Sequence, residues 1–380
     1  MGFRLVILLL IAALVWCPAG WAQDGSQDID EGEVFRARVV DVAEVESVPS
    51  LEQQTDGFIK ETQNVTVEIL DGPFKGRVLS VVNTGTGHLA YDMVFKRGDE
   101  VLLQVQASGG EIVDAYIADY VRERHLVYLA VAFVVLLAAL GGIKGAKSIV
   151  ALGITGVAIA TVLLPLLLKG HNPIAVTVLV AAAVTAVTFV IIGGWTKKSL
   201  AAVIGTTGGV VLAGVLALAV GHAAHLTGFS EEEAAMLMYI PQGVDFDIKG
   251  LLFAGIIIGA LGAVMDVGMS IASAMDEIKK VNPAISLIRL VQAGMNVGRD
   301  IMGTMANTLI LAYTGAAIPL MLVLMAYRTP LVKVINLDLI ATEVVRALAG
   351  SIGLIIAIPI TAVAAGLLLN REGGASGRKN

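Results

Sequence analysis

Two hydropathy patterns divide this chain. Between Val34 and about Asp119 apolar residues alternate with polar ones, whereas from Leu126 onward they run together in long blocks. Alternation with period two places one side chain inward and the next outward, as a half-buried strand requires. The stretches 34–42, 64–70, 77–82, 100–106 and 111–117 each carry it, and together they predict five short strands. A turn is expected between the second and third at Asp71–Gly76, where glycine and proline supply special or fixed φ. Such a set predicts a small all-β barrel or sandwich over residues 34–120, of the oligonucleotide/oligosaccharide-binding type. No catalytic constellation falls within it, so its expected role is structural or protein-contacting.

The apolar blocks are long enough to cross a bilayer as helices. Seven are expected in the mature chain: Leu126–Ile143, Ser148–Leu168, Pro173–Gly194, Ser199–Gly221, Leu251–Ser273, Ile301–Ala326 and Ala347–Leu369. The predicted fold is therefore a polytopic α-helical membrane domain, residues 122–370, behind a small N-terminal all-β domain. Residues 1–22 read as a signal peptide or signal anchor, with Arg4 before an apolar stretch and Gly20-Trp21-Ala22 as the cleavage site. Residues 23–33 read as an acidic linker and residues 371–380 as a polar tail. The single cysteine, Cys17, lies in the signal segment, which leaves the mature chain without a disulfide.

Composition agrees, at 56% hydrophobic and 15% charged residues. Charge is unevenly spread: residues 23–121 hold 19 acids against 7 bases, net −12, and the remainder sums to +6. An acidic head fits a solvated extracytoplasmic domain and argues against nucleic acid as a partner. With the head outside, eleven cationic residues fall on the cytoplasmic side and seven outside it, beyond the head. That bias favours a plasma-membrane protein with its C-terminus in the cytoplasm.

Candidate chemistry is concentrated in the last three blocks. Asp266 lies inside the fifth, and an acid within hydrocarbon is costly and faces protein or water. Residues three, four and seven apart share a helix face. Gly255, Gly259, Gly262, Asp266, Ser270, Ser273 and Glu277 form one such stripe; Asp300, Thr304, Asn307, Thr308, Leu311 and Thr314 form another. The two stripes are expected to face each other and to enclose Asp266 beside Asn307 and Thr308. Such a site serves either as a proton- or cation-responsive group or as an interhelical hydrogen bond. Asp276, Glu277, Arg299 and Asp300 are expected to form interfacial ion pairs, with Asp300 at a helix N-terminus where the dipole favours an anion. Glu343 and Arg346, spaced i,i+3, are expected to pair with each other or to gate an external mouth. The glycine-rich stretch 205–209 is read as close helix packing rather than a phosphate loop. His222 and His225 lack a fixed third ligand, so no metal site is expected, and no cofactor. Motifs of hydrolases and dinucleotide enzymes are absent from the sequence, so an enzyme is not expected.

Three segments carry a family likeness: GAVMDVGMSIASAMDE from Gly262 to Glu277, GRDIMGTMANTLILAYTG from Gly298 to Gly315, and TEVVRALAGSIGLIIAIPIT from Thr342 to Thr361. Together they closely resemble the YibE/F-like family of bacterial membrane proteins, from the β-rich head to the last span. More distantly, the Gly262–Asp266 segment, the cytoplasmic connection and the Thr/Asn-rich span are similar to the membrane halves of resistance-nodulation-division permeases and of the SecD/SecF export factors. That likeness implies a proton-carrier role for Asp266. The chain departs from it in having no tandem second half and no mid-membrane lysine partner. The expected function is a transporter or transport-coupled factor. The rival is a non-transporting scaffold whose head, through residues 34–119, recruits an envelope protein partner. Oligomeric state is left open.

Overall fold

The computed structural model describes residues 33–45, 62–84, 92–230, 232–239 and 246–370. The expected signal segment, most of the linker and the tail lie outside the described residues. The chain forms two compact units, one ending at Phe133 and the other running on from Val134.

Strands form where the alternation predicts them: β1 (Glu33–Val45), β2 (Thr62–Ile69), β3 (Val78–Thr84), β4 (Glu100–Ser108) and β5 (Glu111–Tyr120). Successive strands pair antiparallel in the order β3-β2-β1-β4-β5. β3 also approaches β5, so the sheet curls into a partly open five-stranded barrel. Every second residue points inward, as Val65, Val67 and Ile69 of β2 and Val101, Leu103 and Val105 of β4 do. A bulge between Val39 and Asp41 shifts the register of β1 against β2. The turn between β2 and β3 needs Gly72 twice over: its φ is 72°, and a Cβ there would strike the ring of Phe35. That ring meets Phe74 edge-on at 5.8 Å.

Gln63 is a buried amide that holds the segment before β4. Its Oε1 accepts from the Phe95 N–H at 2.9 Å, and its Nε2 donates to the Phe95 carbonyl at 3.4 Å. Replacing it with leucine strands both backbone groups in the core, at a cost of about 1–3 kcal/mol. Gln63→Leu is therefore expected to raise protease sensitivity of the head while leaving the helices intact. The start of the first helix is tied to the same unit, because Glu123 pairs with Arg36 at 2.5 Å and Arg124 with Glu100 at 3.7 Å.

The second unit is helical. Its principal helices are α1 (Glu123–Leu168, entered from the first unit), α2 (Pro173–Gly193), α3 (Lys197–Ala223), the short α4 (Glu232–Met236) and α5 (Ile248–Val281). There follow α6 (Leu287–Ala316), α7 (Ile318–Ala326), α8 (Leu331–Ile335) and α9 (Asp338–Asn370). Side-chain caps mark the starts: Asn172 accepts from the Ala175 N–H, Thr196 from that of Ser199 and Asp247 from that of Gly250.

Among the described residues five helices are long and apolar enough to cross a membrane, and six if the bent pair α6–α7, angled at 56°, is one span. The first two expected spans both lie in α1, and the sixth is the bent pair. Within α1 the backbone leaves helical geometry at Gly142, with φ 54° and ψ −134°. Val134 then packs against Ile149. In a straight helix these residues would stand about 22 Å apart, so the chain folds back at Gly142 into two antiparallel arms. Few residues of α1 are buried.

The core of the bundle is α3, α5, α6 and α9, with α2 outside α3 and α5. α9 reaches α3 through bare backbone. A Cβ on Gly209 would stand 2.7 Å from the Gly353 carbonyl oxygen, and one on Gly353 would stand 2.8 Å from that of Gly209. The glycine-rich stretch 205–209 is thus a close-packing surface, as its composition predicts.

Candidate functional site

α5 and α6 run antiparallel, and three contacts fix their alignment. Tyr313 Oη lies against Gly259, Ile271 against Gly298 and Met275 against Gly294. Interpolation along this ladder sets Asp266 level with Gly303 and Thr304, about one turn from Asn307. Depth therefore agrees with the expected site.

Orientation does not. α5 buries Val264, Val267, Gly268, Ile271 and Met275, which places Gly255, Gly262, Asp266 and Ser270 on its exposed face. α6 buries Leu290, Gly294, Gly298 and Leu309, which likewise exposes Arg299, Asp300, Thr304, Asn307 and Thr308. Ser273 is half-buried. The two stripes thus do not close over Asp266 within one chain. Thr304 Oγ1 donates to the Ile301 carbonyl at 2.9 Å and Thr308 Oγ1 to that of Thr304 at 2.8 Å. Hydroxyls engaged with their own helix in this way do not hold the carboxylate. Among the described residues no hydrogen bond or ion pair reaches Asp266.

The acids toward the C-terminal end of α5, and Asp300, differ from expectation as well. Asp300 lies well inside α6, whose first residue is Leu287, because no breaker interrupts the helix between them. It has no N-terminal dipole to face. Its neighbour Arg299 donates to Asn296 Oδ1 at 3.0 Å and meets no carboxylate among the described residues. Glu277 and Asp276 instead converge on Lys280, at 2.8 and 2.9 Å, and Asp276 also faces Lys198 at 3.8 Å. Lys279 crosses to Asn370 Oδ1 at 2.9 Å, joining the ends of α5 and α9.

At the opposite end of α5, Glu343 and Arg346 pair at 2.9 Å with both side chains about 20% exposed. Tyr313 lies within electrostatic reach of both. Glu343 and Arg346 pair as their spacing predicts, whereas Tyr313 is not signalled by the sequence, since an aromatic residue in an apolar span reads as core. α9 is held there by its first residue: Asp338 accepts from Thr227 Oγ1 at 2.6 Å and Ser230 Oγ at 3.2 Å. Removing one member of a largely buried pair leaves an uncompensated charge, at a cost on the order of 3 kcal/mol. Arg346→Ala is accordingly expected to lower thermal stability more than Arg299→Ala, whose exposed side chain costs under about 1 kcal/mol. A melting series in detergent reads the difference.

The arrangement offers chemistry along one line: a pair with a nearby phenol near one end of the bundle, a lone carboxyl group farther along, and a cation-acid cluster at the other end. From Gly259 to Asp266 is seven residues, about 10.5 Å along α5 and nearly the same face.

Comparison with known proteins covers both units. The profile of the YibE/F-like protein family matches residues 129–371, and that of the YibE/F family N-terminal domain matches residues 34–120. No curated protein and no solved structure matches the chain. The chain belongs to the YibE/F-like protein family.

Proposed function

We propose that this chain is an integral plasma-membrane protein of the transport class, either a transporter or a factor coupled to transport. In this reading Asp266 takes up a proton or cation on one side of the membrane and releases it on the other. One observation carries it: a carboxyl group midway along an apolar helix, on an exposed face, without a partner among the described residues. Structural acids in a bilayer are paired; one left open is available for exchange. Ser270 and Asn307 supply further polar groups at neighbouring levels. Glu343, Arg346 and Tyr313 stand where they would control access from the outer side. The cation bias of the loops supports an extracytoplasmic head and a cytoplasmic C-terminus. Among the described residues seven crossings result if the two arms of α1 count separately, with Lys144 and Lys147 in the cytoplasm beside the fold at Gly142.

The test is proton flux in proteoliposomes. The wild-type chain is expected to dissipate an imposed pH gradient and Asp266→Asn to leave it standing. Equal dissipation by both would remove the carboxyl group from the mechanism.

A second reading has its own support. The two sheet edges expose Val78 (58%) and Val82 (61%) on β3, and Val113 (70%) and Tyr116 (46%) on β5. Apolar groups on strand edges fit a protein partner in the envelope. If the head is a recruiting scaffold, Val82→Glu with Val113→Glu, both outward-facing, should abolish co-purification of that partner without unfolding the barrel. Undiminished co-purification would count against it.

A further inference from the structure

The exposed face of α5 and α6 is built for a helix that the described residues do not provide. A Cβ at Gly255, Gly262 or Gly303 would meet nothing within 4 Å. These glycines differ from Gly259, Gly268, Gly294 and Gly298, each of which lies against a neighbouring side chain. Glycine weakens a helix relative to alanine, and at bilayer depth its use is to let another helix approach closely. Among the described residues no helix fills this space. The same face carries Asp266 and Asp300, which reach no partner among the described residues, and Arg299, which reaches no carboxylate. Lipid is the wrong neighbour for all three.

We infer that this face pairs with the same face of a second copy of the chain. The charges choose the occupant. Copies inserted in the same membrane orientation relate by a two-fold axis along the bilayer normal, which brings equal depths together. Arg299 and Asp300 are adjacent in sequence and so lie at nearly one depth. Under that axis Arg299 of each copy meets Asp300 of the other, which gives two reciprocal ion pairs in an isologous interface. Asn307 offers a donor and an acceptor at once, so it too matches its own copy. The two Asp266 groups then stand at one level within the interface, screened from lipid. This inference rests on membrane insertion and is independent of whether Asp266 titrates.

Native mass measurement of the full chain in lipid nanodiscs tests it. Wild type is expected at twice the mass that the same sample gives when denatured. Gly262→Leu, whose Cβ would meet nothing within 4 Å among the described residues, should raise the dissociation constant at least tenfold without unfolding the chain. Asn307→Leu on α6 serves as the second variant and should do the same. A single-chain mass for wild type would overturn the inference, and so would folded variants that pair as tightly as wild type.

Discussion

Asp266→Asn is expected to leave the fold intact and to reduce proton flux to the level of empty liposomes. The substitution keeps the side chain's size and its helix propensity. No bond is broken, since none reaches Asp266 among the described residues. The melting temperature should therefore move by no more than surface substitutions do, within about 0.5 kcal/mol of wild-type stability. What asparagine removes is the ability to gain and lose a proton. Asp266→Glu keeps that ability and should retain part of the flux, so the pair separates titration from shape. Fluorescence of a trapped pH dye reads flux, and detergent melting reads fold.

Gly209→Leu is expected to have the largest effect on stability. A Cβ at this position would stand 2.6 Å from Ala357 Cβ and 2.7 Å from the Gly353 carbonyl oxygen. Backbone cannot swing aside as a side-chain tip can, so α3 and α9 must separate. These two helices make the most extensive contact in the bundle, and separation opens the core that also holds Val264. Overpacking typically costs about 1–3 kcal/mol, and backbone that cannot yield puts this case at about 3 kcal/mol or above, a large share of the 5–15 kcal/mol typical of a folded protein. Gly156→Ala is the matched control: its Cβ would meet nothing within 4 Å, and the gain in helix propensity is about 1 kcal/mol. Yield and melting temperature should fall sharply for the first and hold or rise for the second.

Much of this architecture is legible in the residues. Alternation in 64–70 marks β2 because one face of the barrel is buried and the other wet, and the strand's burial pattern follows it residue by residue. The helices are legible because hydrocarbon demands continuous apolar runs. Periodicity also groups Asp266 correctly with Gly262 and Ser270. It does not say which way that group looks. The opposite face of α5, with Val264, Gly268 and Ala272, is just as small and apolar, and neighbouring helices took that one. Asp300 was misplaced for a related reason: the turns before it are amphipathic and interfacial in character, yet they continue α6 without a break. Tyr313 becomes part of the site only when α5, α6 and α9 bring Gly259, Tyr313 and Arg346 together, a three-body arrangement that no local pattern encodes.

The central claim is that Asp266 exchanges a proton within the membrane domain. Infrared difference spectra of the full chain in lipid nanodiscs, recorded across a pH step, address it without a known substrate. The predicted result is a carboxylic-acid carbonyl band that changes with the step in wild type and is missing from Asp266→Asn. Identical difference spectra for the two proteins would contradict it.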